Sequence, residues 1–246
     1  MHAMRYIILA DIHSNATALM AVLEDADRRG GVDELWCLGD IVGYGPDPHR
    51  CLEILRQFKC VGVCGNHDLA AIEKTGLASF DPDAAQAIRW TMRQISTEDA
   101  LFLNRLQPMV EKDEFTLVHG SPRQPVWEYM VSLSSARENF DCFSTPYCLV
   151  GHTHIPMGFK KESASISALP LSENIGQVLG KASLILNPGS VGQPRDNDPR
   201  ASYATLDSDS GIFRLHRVPY DVAGVRERMW GCGLPMRLAS RLEHGV

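Results

Sequence analysis

The chain has 246 residues and a formal net charge of −6, with 44% hydrophobic and 22% charged residues. This composition is typical of a globular protein and excludes fibrous and intrinsically disordered classes. The acidic balance, together with the lack of a long run of Lys or Arg, disfavours nucleic acid as a partner, because phosphate backbones are bound through clustered cationic side chains.

Targeting signals are weak in this sequence. No stretch approaches the roughly 18 apolar residues that a membrane span needs. The first apolar run, at residues 6–10, is too short for a signal-peptide core and ends at Asp11. We therefore expect a cytoplasmic protein with no membrane partner. The seven cysteines are odd in number, which indicates reduced side chains rather than a disulfide framework.

The first two thirds of the chain alternate strand and helix signals. Asn15 opens a helical pattern that stops at Gly30-Gly31, and Ser96 has the character of a helix N-cap. Short apolar runs predict buried strands at residues 5–10, 35–38, 60–64, 115–118 and 148–150. Helical spacing of apolar residues predicts helices at 15–29, 51–58, 83–95 and 97–106.

The last third has a different character. From about residue 159 short β-type runs dominate, and strands are predicted at 183–186, 202–206 and 212–218. No element is predicted within 162–183. The tail at 222–242 predicts a helix interrupted at 231–235. This tail is amphipathic and carries acids as well as arginines, which favours packing or a homo-oligomer contact over a membrane helix. With no linker or internal repeat, we expect one domain spanning residues 1–246.

Polar clusters follow five of the predicted strands. Each cluster combines His, Asp or Asn, in most cases with Gly: Asp11-Ile12-His13, Gly39-Asp40, Gly65-Asn66-His67-Asp68, His119-Gly120 and Gly151-His152-Thr153-His154. Each cluster alone is a weak signal, but their conjunction is not. Ligand sites in α/β proteins collect at the carboxyl ends of strands. Imidazole, carboxylate and amide donors without a thiolate favour Mn, Fe, Zn, Co or Ni over a structural zinc site.

The spacing within the clusters supports shared metal ligation. On an extended chain residues i and i+2 point to the same side, so Asp11 converges with His13 and His152 with His154. A carboxylate such as Asp40 has two oxygens and can bridge two cations. His67 stands beside Asn66 and can then reach a substrate instead of the metal.

Two arginines in Gly- and Pro-rich loops, Arg123 and Arg195, are candidate substrate contacts, because guanidinium binds phosphate oxygens in a fork geometry. A solvated surface position remains an equal alternative for both. Trp127 and Tyr129 are aromatic side chains that could line a substrate pocket, but we expect them to pack in the core or at an interface.

The ordered clusters resemble the calcineurin-like metallophosphoesterase superfamily, and its small bacterial and archaeal members most closely. These members share the Ser14-Asn15 continuation and the Asn-Pro-Gly-Ser-Val-Gly segment at 187–192. The resemblance covers about residues 5–207. It implies an α/β fold, a four-layer αββα sandwich of two mixed sheets flanked by helices. It also implies two metal sites, one held by Asp11, His13, Asp40 and His154 and the other by Asp40, Asn66, His119 and His152.

The resulting hypothesis is a dinuclear-metal-dependent phosphoesterase, first of all a phosphodiesterase, that acts on a small phosphoester substrate. Two divalent ions, Mn before the other metals named, would hold a bridging hydroxide that attacks phosphorus in line. His67 would protonate the leaving oxygen or stabilise its charge, and the adjacent Asp68 would orient or tune His67.

Other functions remain open. A phosphomonoesterase acting on a protein or a small molecule and a dinucleoside polyphosphate hydrolase would use the same metal site, because pocket loops set the substrate. A non-catalytic scaffold of the same fold is disfavoured, since no ligand of the series is missing. A nuclease is disfavoured by the acidic charge.

Overall fold

The computed structural model describes residues 4–246 of the chain. This part of the chain contains strands β1 (Arg5–Leu9), β2 (Glu34–Cys37), β3 (Cys60–Gly62), β4 (Met109–Lys112), β5 (Phe115–Val118), β6 (Tyr147–Leu149), β7 (Met157–Glu162), β8 (Ser165–Leu169), β9 (Gly176–Val178), β10 (Ser183–Asn187), β11 (Ala201–Asp207) and β12 (Ile212–Val218). Its helices are α1 (Ala16–Arg28), α2 (Pro48–Leu55), α3 (Asn66–Ala71), α4 (Pro82–Met92), α5 (Thr97–Arg105), α6 (Leu133–Asn139), α7 (Val222–Gly231) and α8 (Met236–His244). Not one of these helices has the length and apolar character to span a membrane.

The strands form two mixed six-stranded sheets. The first has the order β3-β2-β1-β11-β12-β9 and the second the order β4-β5-β6-β10-β7-β8. Within the first sheet β1, β2 and β3 are parallel to one another, and β11 returns antiparallel to β1. Within the second sheet β5, β6 and β10 are parallel. Parallel neighbours place the carboxyl ends of several strands at one edge, and the predicted α/β class with two mixed sheets is confirmed.

The core follows from the alternation of side chains along the strands. In β1, Ile8 points into the apolar layer between the sheets, while Ile7 and Leu9 join the cluster under α1 and α2. The layer between the sheets also contains five fully buried side chains, those of Trp36, Leu117, Leu149, Leu186 and Phe213. A third cluster lies between α6 and the outer face of the second sheet. The sandwich is therefore built of helices, sheet, sheet and helix, as the resemblance implied.

The tail folds as an interrupted helical pair, which confirms the prediction for 222–242. Helices α7 and α8 pack against each other and against α4, with Tyr44 in the same apolar cluster. The tail therefore lies directly behind the loop that follows β2.

Several predicted boundaries were wrong for identifiable reasons. Helix α2 begins at Pro48, three residues before the predicted start, because proline suits the first helical turn. Strand β4 was not predicted, since it is a half-exposed edge strand with two charged residues among its four. Helix α6 was also missed, although Ser132 accepts a hydrogen bond from the amide of Ser135 as its N-cap.

Candidate metal centre

The five polar clusters meet at the carboxyl ends of strands from both sheets. Asp11 and His13 follow β1, Asp40 follows β2 and Asn66 begins α3, while the second sheet contributes three histidines after β5 and β6. The side chains that meet are Asp11, His13, Asp40, Asn66, His67, His119, His152 and His154, and each residue is at most 5% exposed. The structure therefore brings together all seven ligands that the resemblance implied, with His67 beside them.

Five of these residues have a left-handed backbone: Asp11, His13, Asp40, His152 and His154 have φ angles of 53°, 47°, 52°, 66° and 61°. The argument from an extended chain was therefore wrong about how Asp11 and His13 converge. It was also wrong for His152 and His154, which belong to different groups of donor atoms. Such angles are uncommon for residues other than glycine and cost about 1–3 kcal/mol each. Cross-loop hydrogen bonds hold them: the amide of His13 donates to the carbonyl of Asp40 at 2.9 Å, and that of Asp11 to Gly39 at 3.1 Å.

The first group of donor atoms belongs to Asp11, His13 and His154. Nε2 of His13 lies 3.1 Å from Nε2 of His154, and the latter atom lies 3.5 Å from Oδ1 of Asp11. Nδ1 of His13 donates to the carbonyl of Val42 at 3.2 Å, and Nδ1 of His154 donates to that of Gln193 at 2.7 Å. These bonds assign the ring protons to Nδ1, so two Nε2 lone pairs face each other. Such a contact is repulsive without a cation between the rings.

The second group belongs to Asn66, His119 and His152. Nε2 of His119 lies 3.3 Å from Oδ1 of Asn66 and 3.0 Å from Nδ1 of His152. Nδ1 of His119 donates to the carbonyl of Leu38 at 2.8 Å, which again directs Nε2 toward the centre. The arrangement repeats that of the first group: a ligand histidine is held from behind by a backbone carbonyl.

Asp40 connects the two groups. Its Oδ2 lies 3.6 Å from Nε2 of His13 and 3.4 Å from Nε2 of His119, while its Oδ1 accepts from the amide of His67 at 2.9 Å. Burial raises the pKa of this carboxyl, but the surrounding histidines outweigh burial and hold the pKa well below its usual range. Asp40 is therefore an ionised carboxylate placed between two sets of imidazole nitrogens.

The protonation states of three histidine donors suit a divalent cation. Burial lowers the pKa of His152 to about 3 and that of His13 and His154 well below its ordinary value, so these rings are neutral at pH 7. Burial lowers the pKa of His119 as well, but the neighbouring Asp40 outweighs burial and raises it to about 9. Burial raises the pKa of Asp11 to about 7, because a buried carboxylate is destabilised unless a positive charge lies nearby. Neutral imidazoles and carboxylates are the forms that ligate metals.

Two glycines allow the loops to approach so closely. A Cβ atom on Gly65 would lie 2.0 Å from Oδ1 of Asp40, and a Cβ atom on Gly43 would lie 2.4 Å from Nδ1 of His67. Gly43 also has a φ of +90°, a conformation that side chains disfavour. Any larger residue at either position would displace a member of the centre.

His67 stands at the wall of the pocket above the two groups. Its ring centroid lies 4.8 Å from that of His13 and 4.4 Å from that of Tyr44. Nδ1 is buried against Gly43 and has no hydrogen-bond partner within residues 4–246. Burial, with help from Arg195, lowers the pKa of His67 to about 4. The ring is therefore neutral at pH 7 and keeps one N–H to donate.

Asp68 does not hydrogen-bond to the ring of His67. Its Oδ1 accepts from the amides of Ile41 at 2.9 Å and Val42 at 3.1 Å, and its Oδ2 accepts from the amide of Gly65 at 3.0 Å. Burial and the neighbouring Asp40 raise the pKa of Asp68 to about 7. The contacts of Asp68 thus fasten the loop of Asp40 to the start of α3.

The two candidate arginines have different surroundings. Arg195 lines the pocket, where it donates to Oε1 of Gln193 at 2.8 Å and lies over the ring of Tyr44 at 5.8 Å. Arg123 forms ion pairs with Glu128 and Glu138 and does not line this pocket. The structure therefore brings Arg195 to the centre and leaves Arg123 away from it.

A pocket of about 120 Å³ opens over the centre. Its wall includes Tyr44, Phe80, Trp127 and Tyr129. The expectation of core or interface packing for Trp127 and Tyr129 was wrong. Tyr129 is 50% exposed and stacks on the ring of His152 at 4.0 Å. The sequence did contain a signal for this position, because Tyr129 follows shortly after the His119-Gly120 cluster. Loops that follow the strands at this edge of the sheets surround the site.

The segment at 187–193 joins the loops of the two sheets. Nδ2 of Asn187 donates to the carbonyl of Gly151 at 2.7 Å, and Oγ of Ser190 donates to that of Asp11 at 2.8 Å. Asn15 reaches the same segment by donating to the carbonyl of Gly192 at 3.0 Å. The segment therefore has a structural role, because its hydrogen bonds fix the two halves of the centre relative to each other.

The fold and the donor set together define a metal-dependent hydrolase of phosphoesters. The chain belongs to the calcineurin-like phosphoesterase superfamily, whose domain model matches residues 4–211. The His and Asp groups described above are able to bind the divalent metal ions that this family uses.

Similar proteins cover the chain to different extents. An uncharacterized protein of Methanocaldococcus jannaschii is 36% identical over 240 residues, which is 96% of each chain. The crystal structure of a metallophosphoesterase from Sphaerobacter thermophilus has a TM-score of 0.90 at 42% identity and covers 100% of both chains. A symmetrical bis(5′-nucleosyl)-tetraphosphatase of Haemophilus ducreyi is 32% identical over 141 residues, which span 53% of this chain and 50% of that relative.

Proposed function

We propose that this chain is a phosphodiesterase with a dinuclear metal centre. The single observation that carries the proposal is the position of Asp40, whose Oδ2 lies within 3.6 Å of Nε2 in both His13 and His119. One carboxylate between two sets of imidazole nitrogen donors is the arrangement that a bridging ligand requires. We also propose that residues 1–246 form one domain, because the C-terminal helices pack on the loop that leads into the centre.

The proposed ligands divide into two sets that share Asp40. One set would be Asp11, His13, Asp40 and His154, and the other Asp40, Asn66, His119 and His152. Oxygen and imidazole donors of this kind suit Mn first, with Fe, Zn, Co and Ni as alternatives. Two divalent ions bound there would supply a hydroxide nucleophile near neutral pH and neutralise the phosphoryl oxygens.

The chain itself would position the substrate and assist the leaving group. The neutral ring of His67 would donate a hydrogen bond to the leaving oxygen and stabilise the negative charge that develops there. Arg195, which also lines the pocket, would contact a non-bridging phosphoryl oxygen through its guanidinium. We propose no substrate contact for Arg123, since its guanidinium is paired with two glutamates. For Asp68 we propose a positioning role through the loop of Asp40.

A second candidate function is the hydrolysis of dinucleoside polyphosphates. The match to a bis(5′-nucleosyl)-tetraphosphatase favours it over a protein phosphatase, although that match spans about half of each chain. Both candidates place a small phosphoester over the same centre.

The test begins with protein stripped of metal. Mn²⁺ is added back, and turnover of bis(p-nitrophenyl) phosphate is measured beside that of p-nitrophenyl phosphate. We expect metal-restored diester turnover that falls by about 10²–10³-fold in His67→Asn, the usual cost of losing one hydrogen-bond donor to a developing negative charge. His244→Asn is the matched control, because His244 is exposed on α8.

The outcomes separate the candidates. Monoester turnover alone would replace the diesterase with a phosphatase. Turnover of diadenosine tetraphosphate without either chromogenic ester would favour the second candidate. Stoichiometric Mn²⁺ binding with no turnover of any of the three would contradict the enzymatic proposal.

A further inference from the structure

Three aromatic side chains that are at least partly exposed line the pocket. They are Phe80, Trp127 and Tyr129, and we call them the aromatic rim. All three are at least partly exposed, although aromatic side chains of this size normally bury their surface. The proposed metal-binding residues beneath the rim do not explain this exposure. A bound molecule that packs against the three rings would explain it.

The rim is continuous with the reactive end of the pocket. The ring of Tyr129 stacks on that of His152, with centroids 4.0 Å apart and an angle of 22° between the planes. Because Tyr129 is 50% exposed, the face of its ring that points away from His152 is available to a bound molecule. The ring of Phe80 lies 5.1 Å from that of His67 and 5.3 Å from that of Trp127. A group bound to the rim would therefore be attached close to the phosphorus.

The chemistry of the lining selects the kind of group. Of the thirteen residues that line the pocket, Ala84 is the only aliphatic one, and the others are aromatic, imidazole, polar or charged. Ser79 and Asp81 flank Phe80 with hydroxyl and carboxylate oxygens. An acyl chain would find no aliphatic surface here beyond Ala84. A flat ring with polar edges would find aromatic faces for stacking and oxygens for its N–H groups.

We propose that the aromatic rim binds the nucleobase of a nucleoside phosphoester. The proposal rests on the proposed function, because it places the phosphoryl group between Arg195 and the metal centre. Stacking on aromatic side chains is tolerant of base identity, since every base has a π face. The rim therefore selects nucleotides as a class over alkyl and sugar phosphoesters without selecting one base strongly.

The test compares two esters that release the same leaving group. Adenosine 5′-(p-nitrophenyl phosphate) and ribose 5-(p-nitrophenyl phosphate) differ only in adenine against a hydroxyl group on the sugar, so the ratio of their kcat/KM values isolates the base. We expect the wild-type ratio to be about 5–150, the contribution typical of one stacked base. The ratio should fall toward 1 in Tyr129→Leu and Trp127→Leu and be retained in Tyr129→Phe.

Trp230→Leu is the control for loss of a partly exposed aromatic side chain, because Trp230 is 43% exposed on α7 and lies outside the pocket. It should keep the wild-type ratio. A wild-type ratio near 1, or a high ratio that both leucine variants keep, would overturn the proposal.

Failure of the rim and failure of the proposed function are distinguishable. If the wild type hydrolyses neither ester, the diesterase proposal fails, and binding of adenosine monophosphate against ribose 5-phosphate is measured by calorimetry on the Mn²⁺-loaded protein. Tighter binding of adenosine monophosphate that Tyr129→Leu abolishes would support the rim without the activity. Equal affinities for the two ligands would overturn it.

Discussion

Replacing Asp68 by Asn tests how the loop of Asp40 is held in place. The carboxylate of Asp68 accepts hydrogen bonds from the amides of Ile41, Val42 and Gly65 at 2.9, 3.1 and 3.0 Å. An asparagine keeps one carbonyl oxygen for Ile41 and Val42. Its amide group then faces the N–H of Gly65, so that two donors oppose each other in a buried site.

The expected cost follows from these contacts. One hydrogen bond to a charged acceptor is lost and one buried donor is left without a partner, which together cost about 2–5 kcal/mol. Removal of the buried charge, whose burial raises the pKa of Asp68, offsets part of this cost at pH 8. The loop that carries Asp40 should also be less well placed, and loss of such outer partners lowers metal affinity about 10–100-fold.

The free energy of unfolding is measured by urea denaturation of the metal-free protein at pH 8. This pH lies above the raised pKa of about 7 for Asp68, so the wild-type carboxyl is ionised. Mn²⁺ affinity is measured by titration calorimetry. Asp209→Asn is the control, because Asp209 is an exposed residue in the turn between β11 and β12.

The reasoning would be refuted by a variant with unchanged unfolding free energy and unchanged Mn²⁺ affinity. If such a variant also lost activity with a shifted pH–rate profile, Asp68 would act on His67 directly, as its adjacency in the sequence suggested.

Three further predictions follow from other contacts. Gly65→Ala should lower Mn²⁺ affinity at least about 10-fold, because the added Cβ would lie 2.0 Å from Oδ1 of Asp40. A calorimetric titration measures this affinity. An unchanged affinity would mean that the loops move freely. Mn²⁺ at 100 times its dissociation constant should stabilise the folded chain by about 2.7 kcal/mol for each site that it fills, and EDTA should reverse the gain. A melting temperature that Mn²⁺ leaves unchanged would argue against a native-state site. Burial raises the pKa of Asp99, but hydrogen bonds from Ser96 and Arg56 among others hold this pKa below its usual value. The ionised carboxylate of Asp99 therefore contributes fully to the unfolding free energy above the unfolded pKa of about 3.9. This contribution is lost as the pH falls through the folded pKa. The difference in unfolding free energy between wild type and Asp99→Asn should therefore shrink below about pH 4, and a difference that is constant from pH 7 to pH 2 would contradict this assignment.

Features that depend on short stretches of sequence could be predicted. The polar clusters stand directly after apolar runs, and parallel strands bring such positions to one edge. Asn15 and Ser96 are local helix caps, and their hydrogen bonds to the amides of Ala18 and Asp99 were foreseeable. The class of the fold and the ligand series followed from this local information and from the family resemblance.

Features that depend on distant partners could not be predicted. Arg123 looked like a phosphate contact, but Glu138 on α6 pairs with it, and α6 itself gave no clear signal. Tyr129 is aromatic and followed by apolar residues, which favours burial; only the three-dimensional position of His152 explains why it is exposed at the pocket. The left-handed angles at Asp11 and His13 likewise depend on carbonyls from another loop.

The division of the centre between two sheets has a mechanical consequence. Asp11 and Asp40 belong to loops of the first sheet, and His119 and His152 to loops of the second, so any sliding of one sheet over the other alters the distances between the two halves. The apolar side chains packed between the sheets set that relative position. Repacking this layer at a residue such as Leu186 would thus change the separation of the two halves of the proposed dinuclear centre without altering a proposed ligand, and metal preference would become a property of the core as well as of the centre.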